Sequence, residues 1–361
     1  MTALRSVLIV AVLVGFSVVG SADDSWDGQK VMKAKPEVKF GEHDDDSQRY
    51  FELKGVVFTV LKEKDGWLRL RGSDGKEGWA EKADFTLLAD APGVYTDLIK
   101  ADEKNGWAWN QRGLAWHEKG EWDNAIKDYV EAIRLDPKYA PAFINRGNAR
   151  QNLKEYDKAI QDYDGAIRLD PKDAVPFINR GNAWRNLKEY NKAIKDYDEA
   201  IRLNPKYAHA YFNRGNLLLS TRRPKASADF QTTIDVQGWK GHYATYATIL
   251  GQLSARIEGD DASAKKFLSN AEGKLDEKAW PYPAVQYLRG DLDEAALLKL
   301  ATDDDKRTKA RCFLGFDFLL RGKKDQALEH FRWVKDKGTK SFVEYTLAVA
   351  ELDRLEKAKD K

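Results

Sequence analysis

Gly113, Gly147, Gly181 and Gly215 stand at one constant interval: 147−113, 181−147 and 215−181 each equal 34. An aromatic residue lies four positions before each of them: Trp109, Phe143, Phe177 and Tyr211. Ala125, Ala159 and Ala193 follow the first three glycines by twelve positions, and Tyr129, Tyr163 and Tyr197 come four later. Ala132, Ala166 and Ala200 come next, and Pro137, Pro171 and Pro205 close each unit. Aromatic and glycine four apart share one helix face. The glycine removes bulk where a second helix must approach, and the alanine and tyrosine form that helix's facing stripe. Proline stops it, because it lacks the amide donor and clashes with the preceding turn. Two short antiparallel helices cannot bury their faces alone, so such units must stack.

A 34-residue unit with these landmarks resembles the tetratricopeptide repeat (TPR) family. Three copies, 106–139, 140–173 and 174–207, match nearly throughout. A fourth, from Ala208, loses one residue, has Pro224 where an aromatic belongs, and recovers at Ala226 and Phe230. Residues 236–307 read as degenerate helical repeats broken at Trp280-Pro281-Tyr282-Pro283, with 242–257 and 262–275 helical by periodicity. Asp291 to Glu294 reads as a helix-capping box. A late repeat over 308–361 carries Gly315, Phe318, Ala327 and Phe331, and 341–355 reads as a terminal capping helix with a charged outer face.

Residues 28–88 differ in character. Val56 to Val60 is β-branched and aromatic, Asp65-Gly66 is a turn dipeptide, and Trp67-Leu68-Arg69-Leu70 alternates as a half-buried strand does. Asp74-Gly75 and Gly78-Trp79-Ala80 supply the next turn and strand, which together imply a small barrel. At Gly55, Val56–Val60, Gly66-Trp67 and Gly75–Trp79 the stretch resembles a bacterial SH3-like domain. The expected fold is therefore mainly α: a TPR α-solenoid preceded by a small all-β SH3-like barrel. Residues 89–105 form a linker or short helix, and the repeats proper run over 106–235.

The N-terminus reads as a secretory signal over 1–22: Arg5, the apolar run Ser6–Gly20, then the small residues Gly20-Ser21-Ala22. The run is shorter than the roughly 20 residues that cross a bilayer. The expectation is an exported chain of the periplasm, cell envelope or extracellular space, without a membrane span after cleavage. The motifs Trp280-Pro-x-Pro, Tyr287-Leu-Arg-Gly, Leu314-Gly, Leu320-Arg-Gly and Phe342-Val-Glu-Tyr are similar to exported bacterial TPR adaptor proteins. Among those are lipoproteins that serve peptidoglycan hydrolases and proteases. This chain departs from them in lacking a lipid-anchor cysteine and in carrying the β domain.

Sixty basic and 58 acidic side chains give a net charge of +2, without the clustered basic excess of a nucleic-acid binder. The single cysteine, Cys312, excludes an internal disulfide and reads as a buried thiol. The runs Asp44–Asp46 and Asp303–Asp305 read as solvated loops. His43, His117, His209, His242 and His330 show no metal-ligand spacing. No nucleophile elbow, phosphate loop or dinucleotide fingerprint occurs, so no enzyme activity, cofactor or metal is expected.

Binding is expected on the first helix of each unit. Asn145 and Asn148, Asn179 and Asn182, Asn213 and Asn216 repeat every 34 residues, beside Ile144, Ile178 and Phe212. Amides both donate and accept, so they suit a peptide backbone; the alternative is that they join adjacent helices. The first unit departs, with Gln111 and Leu114 at the amide positions. Asn110 and Ile144 occupy the positions where the family's carboxylate clamp has lysine, so no clamp is expected. Arg112, Arg146, Arg180 and Arg214, with Asp128, Asp162, Asp196 and Asp229, read as stacking pairs. In the β domain Trp67 and Trp79 form either a ligand shelf, for peptide or cell-wall polymer, or part of the core.

Overall fold

The structure, a computed structural model, describes residues 25–42, 50–51, 56–73, 75–241 and 243–357. The expected signal over 1–22, the Asp44–Asp46 run, Gly55, His43 and His242 lie outside the described residues. The chain divides into two units, 1–120 and 121–361.

The first unit holds seven strands: β1 (Lys30–Lys33), β2 (Phe40–Gly41), β3 (Tyr50–Phe51), β4 (Val57–Lys64), β5 (Trp67–Arg71), β6 (Glu77–Glu81) and β7 (Phe85–Leu87). They form one antiparallel sheet in the order β3-β2-β6-β5-β4-β1-β7. Phe40 of β2 and Phe85 of β7 meet with ring centroids 6.1 Å apart, although four strands separate them in the sheet order. The sheet therefore rolls upon itself around Val31, Phe40, Phe58, Val60, Leu68, Leu70, Ala80 and Phe85. The turn between β4 and β5 has positive φ at both Asp65 (49°) and Gly66 (83°), the hairpin geometry that follows the strand twist.

Residues 91–101 of the expected linker form α1 (Ala91–Ala101), which packs against α2 (Gly106–Glu118). Pro92 sits in the first turn of α1, where no amide donor is needed. Tyr95 is fully buried with Met32, Ala91 and Ala115, and its hydroxyl donates to the Lys33 carbonyl at 2.8 Å. So α1 is packed between the barrel and α2. Asn105 caps α2 by accepting from the Ala108 amide at 3.0 Å.

Among its described residues the second unit holds helices and no strand: α3 (Trp122–Leu135), α4 (Ala140–Asn152), α5 (Tyr156–Leu169), α6 (Ala174–Asn186), α7 (Tyr190–Leu203), α8 (Ala208–Ser220), α9 (Ala226–Gln237), α10 (Ala244–Ile257), α11 (Asp261–Ala271), α12 (Tyr282–Arg289), α13 (Glu294–Leu300), α14 (Asp304–Leu320), α15 (Lys324–Lys337) and α16 (Val343–Lys357). Successive helices pair as α4 with α5, α6 with α7, α8 with α9, α10 with α11 and α14 with α15. The glycines explain the pairing. A β-carbon on Gly147 would stand 2.6 Å from the Tyr163 ring, and one on Gly181 2.8 Å from Tyr197. The same geometry recurs at Gly251 against Phe267 and Gly315 against Phe331. All four pairs are sixteen apart (163−147, 197−181, 267−251 and 331−315). The degenerate region thus contains a repeat, α10–α11, in which phenylalanine replaces tyrosine.

The C-terminal third departs from an open stack. One core runs from Phe212 in α8 to Leu352 in α16. The expected capping helix α16 packs on α14 and α15 and also returns to α8. There Glu351 accepts twice from Arg222, at 3.1 and 2.7 Å, and Arg354 donates to the Ser220 carbonyl at 3.1 Å.

Candidate functional site

The asparagine stripe lies on α4, α6 and α8, and its members are bonded to one another. Asn148 Oδ1 accepts from the Tyr163 hydroxyl at 2.8 Å and from Asn179 Nδ2 at 3.0 Å. One repeat later, Asn182 Oδ1 accepts from Tyr197 at 2.8 Å and from Asn213 Nδ2 at 3.1 Å. Each amide thus ties a first helix to its own second helix, through tyrosine, and to the first helix of the next unit. Joining helices and facing a ligand are compatible here, because Asn145, Asn148, Asn179 and Asn182 all remain only partly buried.

The stripe changes on α8. Asn213 is 7% exposed and faces His209 Nε2 at 3.1 Å. Asn216 is 3% exposed, donates to the Phe212 carbonyl at 2.9 Å and leaves its own Oδ1 buried without a partner. Two of the expected apolar contacts are core residues instead. Ile178, at 1% exposure, belongs to the α6–α7 core, and Phe212 stacks on Tyr243 with centroids 4.5 Å apart. Neither offers surface to a ligand; the next unit covers that side of the helix. Ile144 is only partly buried.

Beside the amides runs a ladder of charges. Arg180 takes both oxygens of Asp196 at 2.9 and 2.6 Å and reaches Asp164 in the preceding unit at 2.5 Å. Arg214 does the same with Asp229 at 2.8 and 2.6 Å and Asp198 at 2.5 Å. Arg146 grips Asp162, whose second oxygen goes to Arg150 at 2.8 Å. Position 130, equivalent to 164 and 198, is Val130, so the third contact is missing in that unit. Burial raises the Asp162, Asp196 and Asp229 carboxyls above their ordinary range, and the facing guanidiniums oppose that rise. The ladder stacks the repeats, as the pattern suggested. Asp164 and Asp198 escaped sequence analysis because they bind across the unit boundary, although their own interval is also 34 (198−164).

In the barrel, Leu68, Leu70 and Ala80 point into the core, so period-two alternation sends Trp67 and Trp79 to the opposite face. Both indoles are partly buried and neither belongs to the barrel core. Cross-strand rows there read Lys64–Trp67–Glu81 and Lys62–Arg69–Trp79–Gly41. The row beside them is Thr59–Arg71–Glu77, in which both Arg69 and Arg71 pair with Glu77.

Cys312, Asp317 and His330 are enclosed. Cys312 is fully buried, which pushes its thiol well above the ordinary range. Asp317, also fully buried, is held by Tyr287, Arg256 and Arg321 between α10, α12 and α14. Among the described residues no group of three or more His, Cys, Asp or Glu side chains could hold a metal ion, and no helix is long and apolar enough to cross a membrane.

A family model described as TPR repeat matches residues 113–154 and 181–221, and one described as tetratricopeptide repeat matches 140–173. A model described as bacterial SH3 domain matches 44–85. No curated protein matches the chain. Among solved structures, a crystal structure of MamA is 25% identical, with 43% of this chain and 90% of that chain covered, at a TM-score of 0.39. YrrB, a TPR protein described as having an unusual peptide-binding site, is 18% identical over 55% of this chain and 98% of its own, at 0.42. A tetratricopeptide repeat protein from Parabacteroides merdae is 18% identical over 71% of this chain and 98% of its own, at 0.47. The chain therefore carries tetratricopeptide repeats together with a bacterial SH3 domain.

Proposed function

We propose that this chain is an exported, non-enzymatic interaction scaffold that holds a protein or peptide along the first helices of its repeats. The observation that carries the reading is the pair of partly exposed amides, Asn148 and Asn182, held in the same orientation one repeat apart. Amide donors locked by tertiary contacts are suited to a polypeptide backbone, and the rigid stack holds them ready without an ordering cost at binding. The enclosure of Cys312 and His330 supports a binding role over a catalytic one. A photo-crosslinker placed at Asn145 tests the reading against one placed at Lys158, on the second helix of the same unit. Adducts from envelope extract at the first site alone are expected; equal labelling at both defeats it. Export is tested by fractionation with and without residues 1–22, which are expected to be needed for leaving the cytoplasm.

A second reading, cell-wall polymer binding through the SH3 domain, is favoured by one observation. Two partly exposed indoles share a face with Lys62, Lys64, Arg69 and Arg71, against Glu77 and Glu81. Flat indole area with adjacent cations suits an anionic glycan. Cosedimentation with purified wall that survives Trp67→Ala and Trp79→Ala rules out this face as the contact.

A further inference from the structure

We infer that Arg185 is the charged anchor of the repeat groove, and that the groove holds a polypeptide by an acidic side chain where it crosses α6. This rests on the groove reading above and names its ligand chemistry. Arg185 lies three residues after Asn182, on the same face of α6. Its equivalents in the neighbouring units (185−151 and 219−185 both equal 34) are Gln151 on α4 and Leu219 on α8. The helices α4, α6 and α8 contain no Asp or Glu, and their arginines are Arg146, Arg150, Arg180, Arg185 and Arg214. Second-helix carboxylates take the others: Arg146 and Arg150 share Asp162, Arg180 holds Asp196 and Asp164, and Arg214 holds Asp229 and Asp198. Arg185 is partly buried and forms no hydrogen bond or ion pair with any described residue.

The reason is local. In the preceding unit Gln151 Oε1 stands 3.3 Å from the Tyr163 hydroxyl. A guanidinium has no acceptor to offer the corresponding Tyr197, whose hydroxyl donates to Asn182 at 2.8 Å. Burial pushes the Tyr197 pKa up to about 12, and the Arg185 charge opposes that rise, so the charge stands within electrostatic reach of the amide row. A planar fork of N–H donors matches a carboxylate with two parallel hydrogen bonds. The place of α6 selects the kind of carboxylate. It is bonded to α4 through Asn148 and Asn179, and to α8 through Asn182 and Asn213. A chain lying along the amide row therefore continues to both sides of Arg185 and presents a side chain there, not its terminus.

The test pans a random nonapeptide library on the full chain and titrates the enriched peptides, made with free and with amidated C-termini. Arg185→Gln and Arg185→Leu install the side chains found at 151 and 219, so an unchanged melting temperature is expected in at least one of them. Enriched peptides are expected to carry Asp or Glu at one fixed place and to label a photo-crosslinker at Asn145. Binding is expected to weaken about tenfold in the Arg185 variant, and equally when the peptide's acid is changed to its amide, with no further loss when both changes are combined. Peptides that label Asn145 but show no acidic preference, whose acid is indifferent to Arg185, or that need a free C-terminus, overturn this inference and leave the groove reading standing. Failure to enrich any peptide, or enrichment of peptides that do not label Asn145, overturns both.

Discussion

Arg180 grips Asp196 with two hydrogen bonds, at 2.9 and 2.6 Å, while a third nitrogen reaches Asp164 of the preceding repeat at 2.5 Å. One side chain thus fixes three helices, α5, α6 and α7. Asp196 is 6% exposed, so loss of its partner strands a carboxylate away from water. Arg180→Met is expected to lower stability by about 3 kcal/mol. Arg180→Met with Asp196→Leu is expected to recover most of that, because no buried charge is then unpaired. Urea midpoints decide it: a double variant as unstable as the single one refutes the account.

The residue ending the first helix of each unit adopts a left-handed conformation. It is Gly120 (φ 79°) in the first unit, and Lys154 and Lys188 (φ 63° each) in the next two. A side chain there costs about 0.5–1 kcal/mol relative to glycine. Lys154→Gly and Lys188→Gly are expected to stabilise the chain by that amount each. At the next equivalent, Arg222 (φ 54°), the side chain binds Glu351, so Arg222→Gly is expected to destabilise. Thermal melts of the three variants should separate by sign.

Gly251 faces the Phe267 ring as Gly147 faces Tyr163. Gly251→Ala is expected to destabilise by about 1–3 kcal/mol through overpacking, as much as Gly147→Ala. A neutral Gly251→Ala in a denaturation series means α10–α11 is not a repeat pair.

His330 is 2% exposed and stacks on Phe318, with Arg311 facing Nδ1 at 3.3 Å and Glu294 facing Nε2 at 3.2 Å. Burial, then the Arg311 charge, lower its pKa to about 4. The folded state thus binds fewer protons than the unfolded chain between about pH 6.5 and 4. Stability from this group is complete above about pH 6.5 and is lost as pH falls towards 4, by about 3 kcal/mol in all. Urea midpoints at pH 7.5 and 5.0 are expected to differ less in His330→Gln than in the parent. Equal differences contradict the assignment.

The sequence by itself determined the repeat units, because Gly147 and Tyr163 meet inside one unit and leave a mark at a constant interval. It also determined the β4–β5 hairpin, because Asp65-Gly66 sets the turn through local φ preferences. It indicated the pairs Arg146–Asp162, Arg180–Asp196 and Arg214–Asp229 for the same reason of short range. Only the tertiary structure decided what lies between units. Ile144, Ile178 and Phe212 occupy one repeat position, yet Ile178 and Phe212 are core and Ile144 is partly exposed, since burial depends on which neighbour covers each. Whether the asparagines face a ligand or join adjacent helices stayed open in the sequence, because spacing shows which face a side chain shares and not which neighbours it meets; the structure shows the joining at Asn148 and Asn182. The return of α16 to α8 left no period at all. Arg222 and Glu351 lie 129 residues apart, and a contact made once over that separation has nothing to repeat.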